Sequence, residues 1–294
     1  MTLTGVRPIE VEAIEEGEVG AEMLWSDVNS WSFDPPRIPI DGDEVVINST
    51  SNIVLDIPAS EAPKLISLEV NGALTFLNDG TDDRAIRAHK IWVRAGVLNI
   101  GNDTHPYLTN AEVELLGDNT QYFWSFSRAV EIGNKNLVIT GDVNMYGSER
   151  PIVRMRLLET AYAGENELQL AQNLDLQPGE MLGVAATNMR TMDYDECTIE
   201  TYDANTGIVT CADALEGYHF GDSTDTIDKY EVDMRAEVWL MNKNIKIFAS
   251  TDDIGTILQE PWGCQILVSD FREPTLVQRI GQLNMDNVQV YNCS

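Results

Sequence analysis

Carboxylates are the chemistry this sequence has in greatest supply. Its 294 residues carry 48 Asp and Glu against 19 Lys and Arg, a net charge of −29. Clustered carboxylates can hold a hard divalent cation. Three clusters stand out: Asp41, Asp43 and Glu44; Asp79, Asp82 and Asp83; and Asp222, Asp225 and Asp228. None has the spacing of an EF-hand loop. Asp is also frequent in turns, where its side chain hydrogen-bonds nearby backbone. Calcium is therefore the one cofactor left open, with Asp222, Asp225 and Asp228 as candidate ligands; no other cofactor is expected. The same charge repels phosphate backbones and anionic lipid surfaces, which excludes nucleic acid as a partner and disfavours membrane binding.

Other reactive groups are sparse. His89, His105 and His219 show no i, i+4 pairing and have no neighbouring cysteine cluster, so a zinc site is not expected. There is no Gly-x-Ser-x-Gly elbow and no phosphate loop. Arg84, Arg87, His89, Arg94 and Arg128 lie near Asp82 and Asp83 in sequence. Polysaccharide cleavage needs two carboxylates across the scissile bond, or a base with a cation beside it. The favoured reading of this stretch is nevertheless a solvated coil surface. Trp92, Trp124, Trp239, Trp262 and Tyr122 are candidates for stacking on sugar rings, and core or coil-surface roles are favoured for most of them.

Four cysteines bear on the compartment. Cys197 and Cys211 flank a strand, the turn Asp203-Ala204-Asn205-Thr206-Gly207, and a second strand. Their midpoint falls in the turn, so the hairpin sets them opposite each other within disulfide range. That selects Cys197–Cys211 and leaves Cys264 with Cys293. Disulfides imply an oxidising compartment. Met1–Gly20 lacks the basic start and apolar stretch of a signal peptide, so either a leader has been removed or the chain is part of a longer precursor. Sequons at Asn48, Asn102 and Asn292 are candidate glycosylation sites. No apolar run reaches the ~18 residues of a membrane-spanning helix, so no membrane insertion is expected.

The elements that must position these groups are short strands. Helical periodicity is confined to Pro8–Gly17 and a turn around Asn119–Phe126. Elsewhere short apolar runs alternate with polar residues. Three segments read as strand, glycine, strand: Leu65–Phe76 about Gly72, Ile91–Ile100 about Gly96, and Leu137–Tyr146 about Gly141. Gly72 and Gly96 are 24 residues apart, and Gly96 and Gly141 are 45 apart, close to two such steps. Repeats of this length, each unable to bury its own apolar face, are the mark of a solenoid. Glycine corners and the lack of intervening helices favour a parallel β-helix over a β-sandwich. From about Leu158 to Asp233 the repeat breaks, and this stretch reads as a small β insertion holding the Cys197–Cys211 hairpin and the Pro178-Gly179 turn. The repeat resumes at Arg235.

Motif order adds a family. Trp25-Ser26-Asp27-Val28-Asn29-Ser30-Trp31, then Pro39-Ile40-Asp41-Gly42-Asp43-Glu44-Val45-Val46-Ile47, then Val54-Leu55-Asp56, resembles the opening of a G8 domain. Leu65–Phe76, Ile91–Gly101 and Asn134–Gly147 look like the coils that follow and close it. Leu168–Ala186 looks like the insertion that follows G8 in the cell-surface hyaluronidases and the fibrocystins. Arg235–Val238 with Asn242–Ile247 resembles their return to the β-helix. The resemblance implies an extracellular, right-handed parallel β-helix with an inserted β subdomain: an extension over 1–24, a G8-like β-helix over 25–157, the insertion over 158–234, and the continuing β-helix over 235–294. No functional residue of the degrading enzymes can be matched to a position here.

Trp25 and Trp31 are expected to cap the open end of the first coil, and Asp56 to hydrogen-bond backbone. The favoured function is an extracellular or cell-surface structural or adhesive module of a coat, filament or ectodomain. Its expected partners are itself or other extracellular chains, joined through the β-helix ends. The alternatives are a glycan-binding module or a hyaluronidase-like enzyme, the latter disfavoured because a polyanion meets a protein of net charge −29.

Overall fold

The computed structural model describes residues 20–117, 124–127, 130–189, 193–222, 225–227, 230–250, 263–272 and 277–293. The extension over 1–24 falls outside them up to residue 19, as does the helical candidate Pro8–Gly17. The described residues are all-β, with no α-helix. They form two compact units: 1–148 with 243–294, and 149–242.

The first unit begins with β1 (Glu22–Leu24), β2 (Glu44–Ile47), β3 (Asn52–Leu55), β4 (Lys64–Val70), β5 (Ala73–Phe76) and β6 (Arg84–Val93). It continues through β7 (Val97–Ile100), β8 (Ala111–Leu115), β9 (Trp124–Ser127), β10 (Val130–Ile132), β11 (Asn136–Ile139) and β12 (Asp142–Tyr146). Part of the turn expected at Asn119–Phe126 is therefore strand β9, and the rest lies outside the described residues.

The second unit holds β13 (Arg154–Arg156), β14 (Glu167–Gln169), β15 (Met181–Val184), β16 (Asp195–Asp203), β17 (Ile208–Cys211), β18 (Asp225–Ile227), β19 (Tyr230–Val232) and β20 (Glu237–Leu240). The chain then re-enters the first unit with β21 (Ile245–Ala249), β22 (Gln265–Val268), β23 (Phe271–Arg272), β24 (Gln278–Arg279), β25 (Gln282–Asp286) and β26 (Val288–Tyr291).

Pairing in the first unit is parallel throughout its two large sheets. One runs β1-β3-β5-β7-β12-β25. The other runs β2-β4-β6-β8-β21-β26, with β11 joining β6 and β22. Strand β6 serves two columns: Arg84–Ala88 pairs with β8, while Lys90–Val93 pairs with β11. Register then aligns like residues. Ile53, Leu74, Leu98, Val143 and Leu283 are successive partners. So are Val45, Leu68, Ile91, Leu137 and Ile266. All but Leu283 and Ile266 are buried. Each fully buried aliphatic contributes about 1.5–3 kcal/mol, so these columns account for the pairing of strands far apart in sequence.

Corner glycines set how closely the strands follow one another. A Cβ on Gly72 would stand 2.2 Å from Asn48 O, one on Gly96 1.9 Å from Gly72 O, and one on Gly141 2.4 Å from Gly96 O. Val97 N–H donates to Gly72 O, Asp142 N–H to Gly96 O, and Gln282 N–H to Gly141 O. The 45 residues between Gly96 and Gly141 thus make one step, not two; Asp142 lies directly beside Val97. The sequence spacing misled because a chain excursion, including β9 and β10, inflates this step.

The second unit is antiparallel, ordered β13-β20-β15-β16-β17-β14. Glu237–Leu240, where the sequence reads as a resumed parallel repeat, pairs antiparallel with β13 and β15. The first parallel strand after it is β21. The chain departs after Ser148 and is back at Lys243. Ser148 N–H donates to Asn244 Oδ1 at 2.9 Å, and Asn244 Nδ2 donates to Tyr107 O and Thr109 O. One asparagine therefore closes the corner at which the excursion begins and ends.

Candidate functional site

The outer face of the first parallel sheet carries a row of polar side chains at one register position. Thr75 pairs with Asn99, Asn99 with Asn144, and Asn144 with Asn284. Asn144 Nδ2 donates to Asn99 Oδ1 at 3.0 Å, and Asn284 Nδ2 donates to Asn144 Oδ1 at 2.9 Å. Asn99 Nδ2 and the Thr75 hydroxyl have no partner among the described residues. A hydrogen-bonded amide row of this kind has a donor end and an acceptor end. Its donor end lies over Thr75.

A loop walls this row on one side. Gly101 takes φ +69°, a conformation in which a side chain is strained, and a Cβ there would meet Tyr107 N and Tyr146 O at 2.6 Å. Asn102 Oδ1 accepts from Thr104 N, Thr104 Oγ1 and His105 N, closing a tight turn. Asn78 pins the loop, donating to Pro106 O and accepting from Leu108 N. Loop and row enclose a groove of about 870 Å³, bordered by Thr75, Asn99, Asn144, Tyr146, Asp103 and His105.

The sequence-derived candidates lie elsewhere, with one exception. Asn102 borders the groove, whereas Asn48 and Asn292 are exposed away from it. Trp25 is buried in the core, and Trp31 donates its indole N–H to Trp25 O at 2.8 Å, their rings edge to face at 4.8 Å. Asp56 accepts from Ser26 N and Ser26 Oγ, which fixes the tryptophan-bearing turn.

Basic residues near Asp82 and Asp83 disperse into separate partnerships. Arg84 is buried and pairs with Asp79 and Asp82. Arg87 pairs with Glu114 at 2.8 Å, and Arg94 with Glu69 at 3.0 Å while lying over the Trp92 ring. Asp83 accepts from Asn110. Arg128 lies outside the described residues. Trp92 donates to Thr140 Oγ1 in the core and Trp239 is exposed; Tyr122, Trp262 and the Trp124 side chain lie outside what is described.

Among the described residues no group of three His, Cys, Asp or Glu gathers as a metal site. Asp41 accepts from Lys64 N, and Asp43 binds Arg37 through both carboxylate oxygens, which holds its carboxyl below the ordinary range. Asp222 accepts from Thr160 Oγ1 at 2.9 Å. Asp228 and the side chain of Asp225 lie outside the described residues.

Both disulfides are present, Cys197–Cys211 and Cys264–Cys293. The hairpin differs in register from the one expected. Ile199, not Cys197, faces Cys211, because Asp203 pairs with Ile208 and so centres the turn beyond residue 204, and a bulge between Ile199 and Thr201 takes back only one residue of that shift. Cys197 reaches Cys211 diagonally, with Cα atoms 5.1 Å apart, a separation a disulfide spans.

Two features escaped the sequence reading. The amide row was legible in principle, since Thr75, Asn99, Asn144 and Asn284 each lie three residues after a corner glycine. The pair His219–Asp195 had no local signal. His219 is fully buried; its Nε2 lies 2.6 Å from Asp195 Oδ2 and its Nδ1 2.9 Å from Ala185 O. Burial pushes the Asp195 carboxyl up, but the His219 bond and the N–H groups of Glu216 and Gly217 outweigh it and hold the group below its usual range.

Comparison with known proteins identifies the first unit's opening. Residues 30–158 match the G8 domain. The chain is 25% identical to Fibrocystin-L of Homo sapiens over 298 aligned positions, covering 98% of this chain and 7% of that protein. Fibrocystin of Canis lupus familiaris is 31% identical over 162 positions, covering 54% of this chain and 4% of that protein. The chain spans less than a tenth of the length of these relatives. It thus carries a G8 domain and is homologous to the fibrocystins, as the motif order implied.

Proposed function

We propose that this G8-bearing chain is an extracellular structural or adhesive module, a right-handed parallel β-helix that associates through its β-helix ends with itself or with other extracellular chains. Parallel pairing through both large sheets, aliphatic columns in register and the corner-glycine ladder support the coil. Parallel crossovers are right-handed in almost all proteins. The insertion proposed over 158–234 lies within the compact antiparallel unit 149–242. Two disulfides and the homology to fibrocystins support an oxidising, extracellular setting. Trp25 and Trp31 cap the first rung in this reading, and Asn48, Asn102 and Asn292 are its glycan attachment sites.

The observation that carries the association is the state of the last rung. Strands β22, β25 and β26 each pair on one edge only among the described residues. Val268, Met285 and Val290 on these strands are exposed, whereas the aligned positions one rung earlier, Ile139, Met145 and Ile247, are buried. Unpaired parallel edges with apolar side chains are a template for further strands.

Light scattering across a concentration series tests this. The reading predicts concentration-dependent growth in mass, abolished by the double substitution Val268→Lys, Val290→Lys. A chain that remains monomeric at all concentrations, or one whose association survives the substitutions, contradicts it.

A further inference from the structure

We propose that the groove over the first parallel sheet is a binding site for a neutral oligosaccharide. The amide row supplies the recognition. Asn99 keeps both N–H groups of its side chain free, Asn144 keeps one, and the Thr75 and Tyr146 hydroxyls have no partner among the described residues. The amide N–H groups donate and the two hydroxyls both donate and accept, and Thr75, Asn99 and Asn144 follow one another at strand spacing. A sugar hydroxyl has the same double character, and a chain of sugars repeats it along one direction.

Charge selects among glycans. The side chains that floor the groove are uncharged, and its wall contributes one carboxylate, Asp103. No lysine or arginine borders it. A protein of net charge −29 repels a polyanion that has no cationic anchor. An uncharged oligosaccharide meets no such penalty. A protein strand is a poorer occupant, because the floor is a sheet face whose backbone is already paired on both sides at β5, β7 and β12, and strand addition needs an open edge. The volume, about 870 Å³, lies in the range of small-ligand sites, roughly 300–1,000 Å³. Tyr146 and Pro106 offer apolar faces for the C–H side of a sugar ring.

The rung association proposed above uses β22, β25 and β26, none of whose residues borders the groove, so either proposal can fail alone. The test uses the full chain made in a host that adds no N-glycans, since Asn102 stands on the rim. It is applied to an array of neutral gluco-, manno-, galacto- and N-acetylglucosamine oligosaccharides with hyaluronan and heparin alongside. The proposal predicts that a neutral oligosaccharide binds and the two polyanions do not. Titration of the best neutral binder then gives a dissociation constant that rises at least tenfold in Asn99→Leu and severalfold in Thr75→Val. The second variant removes one hydroxyl and keeps the side-chain shape. The proposal is overturned if no neutral oligosaccharide binds at millimolar concentration, if a polyanion binds preferentially, or if both variants bind as the parent does.

Discussion

At the scale of single residues, the antiparallel unit depends on one buried hydrogen-bonded pair, His219 and Asp195. Asp195 accepts from Glu216 N and Gly217 N and is hydrogen-bonded to His219 Nε2, and His219 Nδ1 to Ala185 O. Removing one member of such a pair leaves its buried partner without a hydrogen bond, at a cost of about 1–3 kcal/mol, whereas replacing both with apolar groups is often nearly neutral. Asp195→Ala should therefore lower the urea midpoint more than the double substitution Asp195→Ala, His219→Phe. Equal effects would show that the pair is not coupled. Acid acts on the same group. The Asp195 carboxyl is held below its ordinary value in the fold, so its stabilisation is complete above the unfolded value of about 4 and fades as pH falls through the lower, folded one. Asp175, bound by Arg150, and Asp233, pulled to about 2 by Arg235 and Arg156, act in the same direction. None of this was legible in the sequence, because the partners lie 24 residues apart on either side of a hairpin, and hydrogen-bond geometry has no local pattern.

At the scale of elements, glycine corners decide how strands succeed one another. Gly72, Gly96 and Gly141 were readable as corners because each interrupts two apolar runs. The step size was not readable. A parallel sheet tolerates long excursions between neighbouring strands, and sequence counts residues rather than strand pairings. Gly96→Ala would put a Cβ 1.9 Å from a backbone oxygen that has no room to yield. It should unfold or grossly destabilise the parallel unit. Gly183→Ala meets only the flexible end of Met241 at 3.1 Å, and should shift the thermal midpoint by a few degrees or less. Thermal scans of the two variants check this, and equal tolerance would refute the corner ladder. The cysteine hairpin illustrates the same limit. Its pairing was derivable from the central turn, where Asp203 accepts from Asn205 N and Thr206 Oγ1. Its register was not, because Asp203 pairs with Ile208 and centres the turn beyond residue 204, and the residue on which a turn is centred leaves no mark in composition.

At the scale of the whole chain, strand type, parallel order and the G8 domain were all legible. Short apolar runs with glycine corners leave few alternatives, and the opening tryptophan and Gly-Asp motifs fall in family order. The groove stayed hidden because its residues come from different strands and look like ordinary polar positions until register aligns them. The claim on which the open rung rests is that the chain, after the antiparallel unit, adds β21, β22 and β25 to the parallel sheets, with β25 directly beside β12. Asn144 and Asn284 are then register partners although 140 residues separate them, and parallel neighbours lie about 4.8 Å apart, within reach of a disulfide. The decisive measurement is the redox state of Asn144→Cys, Asn284→Cys, read by peptide mapping under oxidising conditions. An intramolecular bond between positions 144 and 284, formed beside intact Cys197–Cys211 and Cys264–Cys293, is the result predicted. Two free thiols at those positions, with both native bonds intact, would contradict the stack.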